Sequence, residues 1–161
     1  MRPHTLCLPV LLAALAAGPA AAPARASAPP PPVRITFQQM PEAVQKTARA
    51  ETAGGRIRGL WKETEPDGRL VYEVEAMVKG RTRDLNIAED GTVLVCEQQM
   101  SIAELPASVR ETVLSAAGKR KIRIIESVTK MGQLAYYEAK VGSGKAIEDI
   151  TIGLDGARMP Q

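Results

Sequence analysis

The chain has 161 residues, 21 Lys+Arg against 18 Asp+Glu, a formal net charge of +3, one histidine and two cysteines. Removing residues 1–26, read below as a leader, takes Arg2, Arg25, His4 and Cys7 but no acid, and leaves 19 basic against 18 acidic residues with no histidine and a single cysteine, Cys96. That inventory excludes His-dependent serine or cysteine catalysis, most zinc sites, a disulfide framework within one chain, and the basic footprint of a nucleic-acid binder.

Arg2 gives a short n-region its positive charge, Leu6 to Ala17 form an apolar run interrupted by Pro9, and Ala24-Arg25-Ala26 offers a small-residue cleavage site. The apolar run falls short of the roughly 20 residues a membrane span needs. Residues 1–26 are therefore expected to be a signal peptide. The remainder is expected to be exported, periplasmic or extracellular, with no membrane attachment after cleavage. Residues 27–34 contain Ser-Ala-Pro-Pro-Pro-Pro, a stiff solvated spacer unable to build a core.

Met40-Pro41 opens a helix with proline in the first turn, where its missing N–H costs nothing; Val44 and Ala48 share one face, and Gly54-Gly55 ends it. Strands are predicted over 56–64, 69–78, 82–88 and 92–96, with turns at Asp67-Gly68 and Asp90-Gly91. Leu105-Pro106 opens a second helix carrying Val109 and Val113 and closed by Gly118. Strands over 121–129, 134–141 and 146–152 follow, then a turn at Asp155-Gly156.

The second series repeats the first. At an offset of 65 residues Pro41 falls on Pro106, Ile57-Arg58 on Ile122-Arg123, Tyr72-Glu73 on Tyr137-Glu138, Asp84 on Asp149, and Asp90-Gly91 on Asp155-Gly156. The fold expected is α+β: two tandem repeats, residues 35–98 and 99–161, each a helix followed by an antiparallel β-meander, with the helices packed on one face of the sheet or sheets. A unit of ~60 residues is marginal alone, so the two are expected to pack together.

Strand alternation assigns faces. Tyr72, Val74, Ala76 and Val78, with Tyr137, Ala139, Val141, Leu85, Ile87, Ile150 and Ile152, form an apolar face beneath the helices. Ile57, Ile122 and Ile124 are counted with it, and parity puts Trp61 there too, at the rim. Arg58, Lys62, Glu73, Glu75 and Asp84, with Arg123, Glu138, Lys140 and Asp149, occupy the opposite, open face.

The Leu-Pro-x-x-Val helix start (Leu105 to Val109, with Met40 to Val44), the Gly-x-x-x-Tyr hairpins (Gly68 to Tyr72, Gly132 to Tyr136) and the closing Asp-Gly turns resemble PepSY-like domains. More narrowly the chain resembles the exported tandem proteins grouped as β-lactamase-inhibitor-like, over residues 35 to 161. The resemblance implies a non-enzymatic module outside the cytoplasm. Its relatives include inhibitory segments of peptidase precursors and inhibitors that present an open sheet face to an enzyme. It supplies no catalytic residues to carry over.

Arg58 and Arg123, Glu73 and Glu138, and Asp84 and Asp149 recur in both repeats. They form either a charged binding surface or a ladder of cross-strand ion pairs, each worth roughly 0.2–1 kcal/mol. Trp61, the only tryptophan, and Tyr136 are the aromatic candidates for partner contact. Gly142-Ser143-Gly144-Lys145 lacks the spacing and Ser/Thr of a phosphate loop and reads as a hairpin. Asp90-Gly91 and Asp155-Gly156 lack the alternating acids of calcium loops and read as turns. No cofactor or metal site is expected. The functional expectation is a binding or inhibitor module whose partner is an exported protein, a peptidase or other envelope enzyme. The alternative is an envelope sensory or structural protein that binds a small ligand or cell-wall component.

Overall fold

The computed structural model describes residues 29–144 and 146–160; the expected leader lies outside them. The order is β1 (Val33–Arg34), α1 (Glu42–Glu51), β2 (Arg56–Thr64), β3 (Leu70–Val78), β4 (Arg81–Ala88), β5 (Val93–Gln99), α2 (Ala107–Ala117), β6 (Ile122–Lys130), β7 (Gln133–Ser143) and β8 (Ala146–Ile152). All eight strands join one antiparallel sheet in the order of the chain.

This corrects the fold expectation. The described residues are mostly β, one continuous sheet with two short helices, and not two tandem helix-plus-meander units. The reason lies in β5. Its predicted end at Cys96 extends through Glu97, Gln98 and Gln99, which pair with Val128, Ser127 and Glu126 of β6. Those polar residues carry no hydrophobic alternation, so the seam that fuses the sheet is silent in the pattern.

Both helices lie on one face. Val44 and Ala48 of α1 pack with Met40, Leu60, Tyr72, Val74, Leu85 and Ile87. Val109, Val113 and Ala117 of α2 pack with Leu105, Ile125, Tyr137, Ala139, Val141, Ile150 and Ile152. Each helix is preceded by a single 3-10 turn, Phe37–Gln39 or Ile102–Glu104. The Thr36 N–H donates to Gln39 Oε1 at 2.7 Å, and the Ser101 N–H donates to Glu104 Oε2 at 2.7 Å. These are the Ser/Thr-x-x-Glu/Gln pairs of capping boxes.

The Asp-Gly turns have a structural task. Thr47 Oγ1 donates to the Gly91 carbonyl at 2.7 Å, and Thr112 Oγ1 to the Gly156 carbonyl at 2.7 Å. Both glycines sit at φ 87° with helix atoms where a Cβ would stand. The turns clamp their strands to the helices, and the Asp90 and Asp155 carboxylates accept from the N–H groups of Thr92 and Ala157.

Two bulges reassign faces. β2 shifts register between Ile57 and Gly59, and β6 between Ile122 and Ile124, leaving Arg58 and Arg123 as the extra residues. Beyond each bulge the parity inverts. Trp61 lies opposite Glu73 and Ile124 opposite Lys140, both on the open face, whereas Lys62 lies opposite Tyr72 on the helix side. The expected positions of Trp61, Ile124 and Lys62 are corrected accordingly.

Candidate functional site: an acidic sheet face

The face away from the helices is crossed by rows of side chains standing opposite one another on successive strands. One row runs Gly59, Glu75, Asp84, Glu97, Val128, Tyr136. Beside it runs Trp61, Glu73, Asn86, Val95, Lys130. On the other side Gln99, Glu126, Glu138 and Thr151 form a third row, and Ile124, Lys140 and Asp149 a fourth. Strands lie about 4.8 Å apart, so three acids meet shoulder to shoulder at Glu75, Asp84 and Glu97. An ion-pair ladder is therefore not what this face carries. Lys140 opposite Asp149 is an oppositely charged neighbour pair; Glu75 opposite Asp84, Asp84 opposite Glu97, and Glu126 opposite Glu138 are like-charged.

The salt bridges found among the described residues, such as Arg81–Glu104 at 2.9 Å, Arg120–Glu148 at 2.7 Å and the close Arg83–Glu51 contact, lie elsewhere, on strand ends or the helix side. Arg58, on the β2 bulge, is exposed and its charge reaches Asp84. Arg123, on the β6 bulge, is exposed. Lys130 lies 4.9 Å from the centre of the Tyr136 ring, and Arg34 5.6 Å from that of Trp61, within cation–π range.

The acids are unequally buried. Glu126 is 6% exposed and accepts only a long 3.4 Å bond from the Thr82 hydroxyl. Asp84 Oδ1 is enclosed with no hydrogen-bond partner. Burial pushes the Glu73 carboxyl up to about 7, helped by the charges of Glu63 and Glu75, a hydrogen bond with Glu63, and the charge of Asp84. Asp84, Glu97 and Glu126 are also raised, each chiefly by burial. Arg58 opposes the shift at Asp84, and Lys140 opposes it at all three. Glu73, Asp84, Asn86, Val95 and Glu97 line a small cavity of about 100 Å³. Among the described residues no three acids, cysteines or histidines are grouped to hold a metal ion.

The structure thus brings Glu73, Asp84 and Glu138 of the sequence candidates onto one face, with Trp61 and Tyr136 along its margins and Asp149 exposed on β8. It also adds Glu97 and Glu126, which sequence reasoning passed over. The signal available was their spacing: Glu97 and Gln99, like Glu126 and Val128, keep strand parity with Asp84 and Glu138. Cys96 is free, half-buried and on the helix side with Leu85. Among the described residues no helix is long and apolar enough to cross a membrane.

The class defined so far is a single antiparallel sheet with helices on one face and a bare, acid-rich face on the other. No family model matches the chain, and no curated protein does. Solved structures do. A BLIP-like protein from Bacteroides fragilis is similar at 17% identity and TM-score 0.55, over 75% of this chain and 84% of that one. A DUF2874 family protein from Bacteroides ovatus has 17% identity and TM-score 0.56, over 76% and 86%. A protein from Bacteroides eggerthii provisionally assigned to the periplasm has 13% identity and TM-score 0.58, over 75% and 86%. At these identities the likeness is one of fold. None of the three is described by an enzymatic activity.

Proposed function

We propose that this chain is an exported, non-enzymatic binding module that contacts a partner protein through the uncovered face of its sheet. The observation that carries the reading is the face itself: half-buried carboxylates set opposite one another, with few cations among them. Such a surface is improved by a partner that brings Lys or Arg groups to it. The PepSY-like motifs, the leader-like first 26 residues and the BLIP-like and periplasmic neighbours support an exported location and a protein partner, with a peptidase or other envelope enzyme as its class. Residues 35–98 and 99–161 are, in this reading, related sequence halves built into one sheet. Arg58, Trp61, Glu73, Asp84, Arg123, Tyr136, Glu138 and Asp149 supply the contacts. The cavity lined by Glu73, Asp84, Asn86, Val95 and Glu97 on this face, at about 100 Å³, is well below the roughly 300–1,000 Å³ of a small-molecule pocket, so this part of the face suits a protein surface better than a small ligand.

The test is affinity capture with the chain from residue 27 immobilised and exposed to the exported proteins of the producing cell. A protein retained by the native face and lost when Arg123→Glu and Glu138→Arg are introduced together supports the reading. Capture that ignores this reversal moves the contact to the sheet edges or loops.

A further inference from the structure

We propose that the acidic face is a proton-linked switch: the folded protein holds a proton in the crowded acid cluster around Glu73 and Asp84 and releases it as the pH rises, losing stability and gaining negative charge on that face.

The geometry carries this. Like charges directly opposite on neighbouring strands destabilise a sheet, and here they stand opposite in sequence across β3, β4 and β5 and again across β6 and β7. The groups facing the cluster can be taken strand by strand. β1 contributes Arg34 against Trp61, β2 contributes Glu63 and the bulge residue Arg58, and β3 contributes Glu73 and Glu75. β4 adds Asp84, β5 adds Glu97, and β6 adds Glu126, with Lys130 against Tyr136 and Arg123 on its bulge. β7 brings Glu138 and Lys140, and β8 brings Asp149 opposite Lys140. Acids outnumber bases, and two acids are poorly solvated by the protein. Asp84 has an enclosed oxygen with no donor, and Glu126 has one long hydroxyl bond. A buried carboxylate in that position lowers its free energy by accepting a proton, which removes charge and supplies a donor.

The direction of the linkage follows. Glu73 has a folded value near 7 against 4.5 for the free group, so the folded state holds more protons than the unfolded state between those values. Stability is then greatest toward the acid end of that window and falls as pH rises through 7. The ordinary salt-bridged carboxylate acts the other way: Glu104, drawn down to about 2 by Arg81 and Ser101, gives stability that is lost only as pH falls toward 2. The only histidine is His4, so the chain from residue 27 lacks the side chain that ordinarily titrates in this range. If the face docks a cationic partner as proposed above, the same proton competes with that partner. The experiment does not depend on one.

Thermal unfolding of the chain from residue 27 is measured from pH 5.5 to 8.5 at fixed ionic strength. The midpoint is expected to fall by about 3 °C or more across the range, most steeply below pH 7, where the folded carboxyl is protonated and the unfolded one is not, and to level off above it. Glu73→Gln is expected to flatten the curve at its steepest part, and Glu73→Gln with Glu126→Gln to flatten it further. Should the double variant not fold, infrared difference spectra of the native chain decide the matter. Protonated-carboxyl absorbance present at pH 6 and gone by pH 8.5 supports the switch. A native midpoint independent of pH, a slope untouched by Glu73→Gln, or no such absorbance overturns it.

Discussion

The β2–β4 part of the open face and the β6–β8 part use one scaffold to opposite electrostatic ends. Gly59, Glu75 and Asp84 stand in a row in the first; Ile124, Lys140 and Asp149 stand at the corresponding positions in the second. In that row the first part sets acid against acid and the second sets lysine against acid, although the second keeps one acid pair elsewhere, Glu126 opposite Glu138. Trp61 and Glu126 are likewise exchanged, as are Val71 and Tyr136. The helix-side residues change far less: Val44 and Val109, Tyr72 and Tyr137, Leu85 and Ile150, Ile87 and Ile152 keep their size and polarity. The core face is constrained by packing, where a lost methylene is felt. Among the described residues the open face meets no other element, so its chemistry is free to diverge toward a partner or a proton.

The largest expected effect tests whether these are parts of one body. Leu85→Ala and Ile150→Ala each empty a fully or almost fully buried site, at 0% and 1% exposure, and are expected to cost about 2–5 kcal/mol. Because β5 and β6 are hydrogen-bonded neighbours, denaturant unfolding followed by Trp61 fluorescence and by circular dichroism should give one coincident transition for both variants. Ile150→Ala that splits the circular dichroism transition while leaving the fluorescence unchanged would mean that each part folds alone.

Gly91→Ala and Gly156→Ala come next. Each forces a Cβ onto φ 87° against the helix that carries the matching Thr clamp: the Ala43 carbonyl oxygen stands 2.9 Å from the Cβ position at Gly91, and the Ser108 Cβ 2.6 Å from that at Gly156. A loss of about 1–3 kcal/mol is expected for each, with Gly156→Ala the larger because Ser108 is closer. Equal and negligible losses in the same denaturation measurement would show that the turns do not clamp the helices.

These contacts mark how far the amino-acid pattern could be read. The strand over 56–64, the strand over 146–152 and both Asp-Gly turns follow from β-branched runs and turn residues, and local chemistry decides them. Face assignment failed at Trp61, Lys62 and Ile124 because counting by twos has no signal for one inserted residue. The doubled pattern Ile57-Arg58-Gly59 and Ile122-Arg123-Ile124, charge between residues meant for one side, was the trace it left. The Ser/Thr-x-x-Glu/Gln boxes at Thr36 and Ser101 lie ahead of 3-10 turns, not of the helices themselves. The acidic cluster was half legible. Glu73, Glu75 and Asp84 stood out, but their neighbour Glu97 depends on the β4–β5 register, and Glu126 on the seam between β5 and β6, neither of which alternation specifies.

The smallest expected effect is the most direct test of the contrast between the two parts of the face. Glu75→Lys gives the first part the row found in the second, placing a cation opposite Asp84 as Lys140 is placed opposite Asp149. It removes one like-charged neighbour from Asp84 and one from Glu73, and a gain of roughly 0.2–1 kcal/mol is expected. Gly59 beside it has no side chain to obstruct the longer lysine. Lys140→Glu does the reverse: it removes the cation that favours ionised Asp84, Glu97 and Glu126, and a loss of similar size is expected. Because the carboxyls concerned gain or lose a counter-charge, the two variants should also part with pH. The Glu75→Lys gain should be larger at pH 8 than at pH 6, where the bound proton already relieves the repulsion, and the Lys140→Glu loss should grow in the same direction. Thermal midpoints at the two pH values check both. Variants that shift stability equally at both pH values would leave the row contrast as a matter of surface charge alone, uncoupled from the proton the cluster holds.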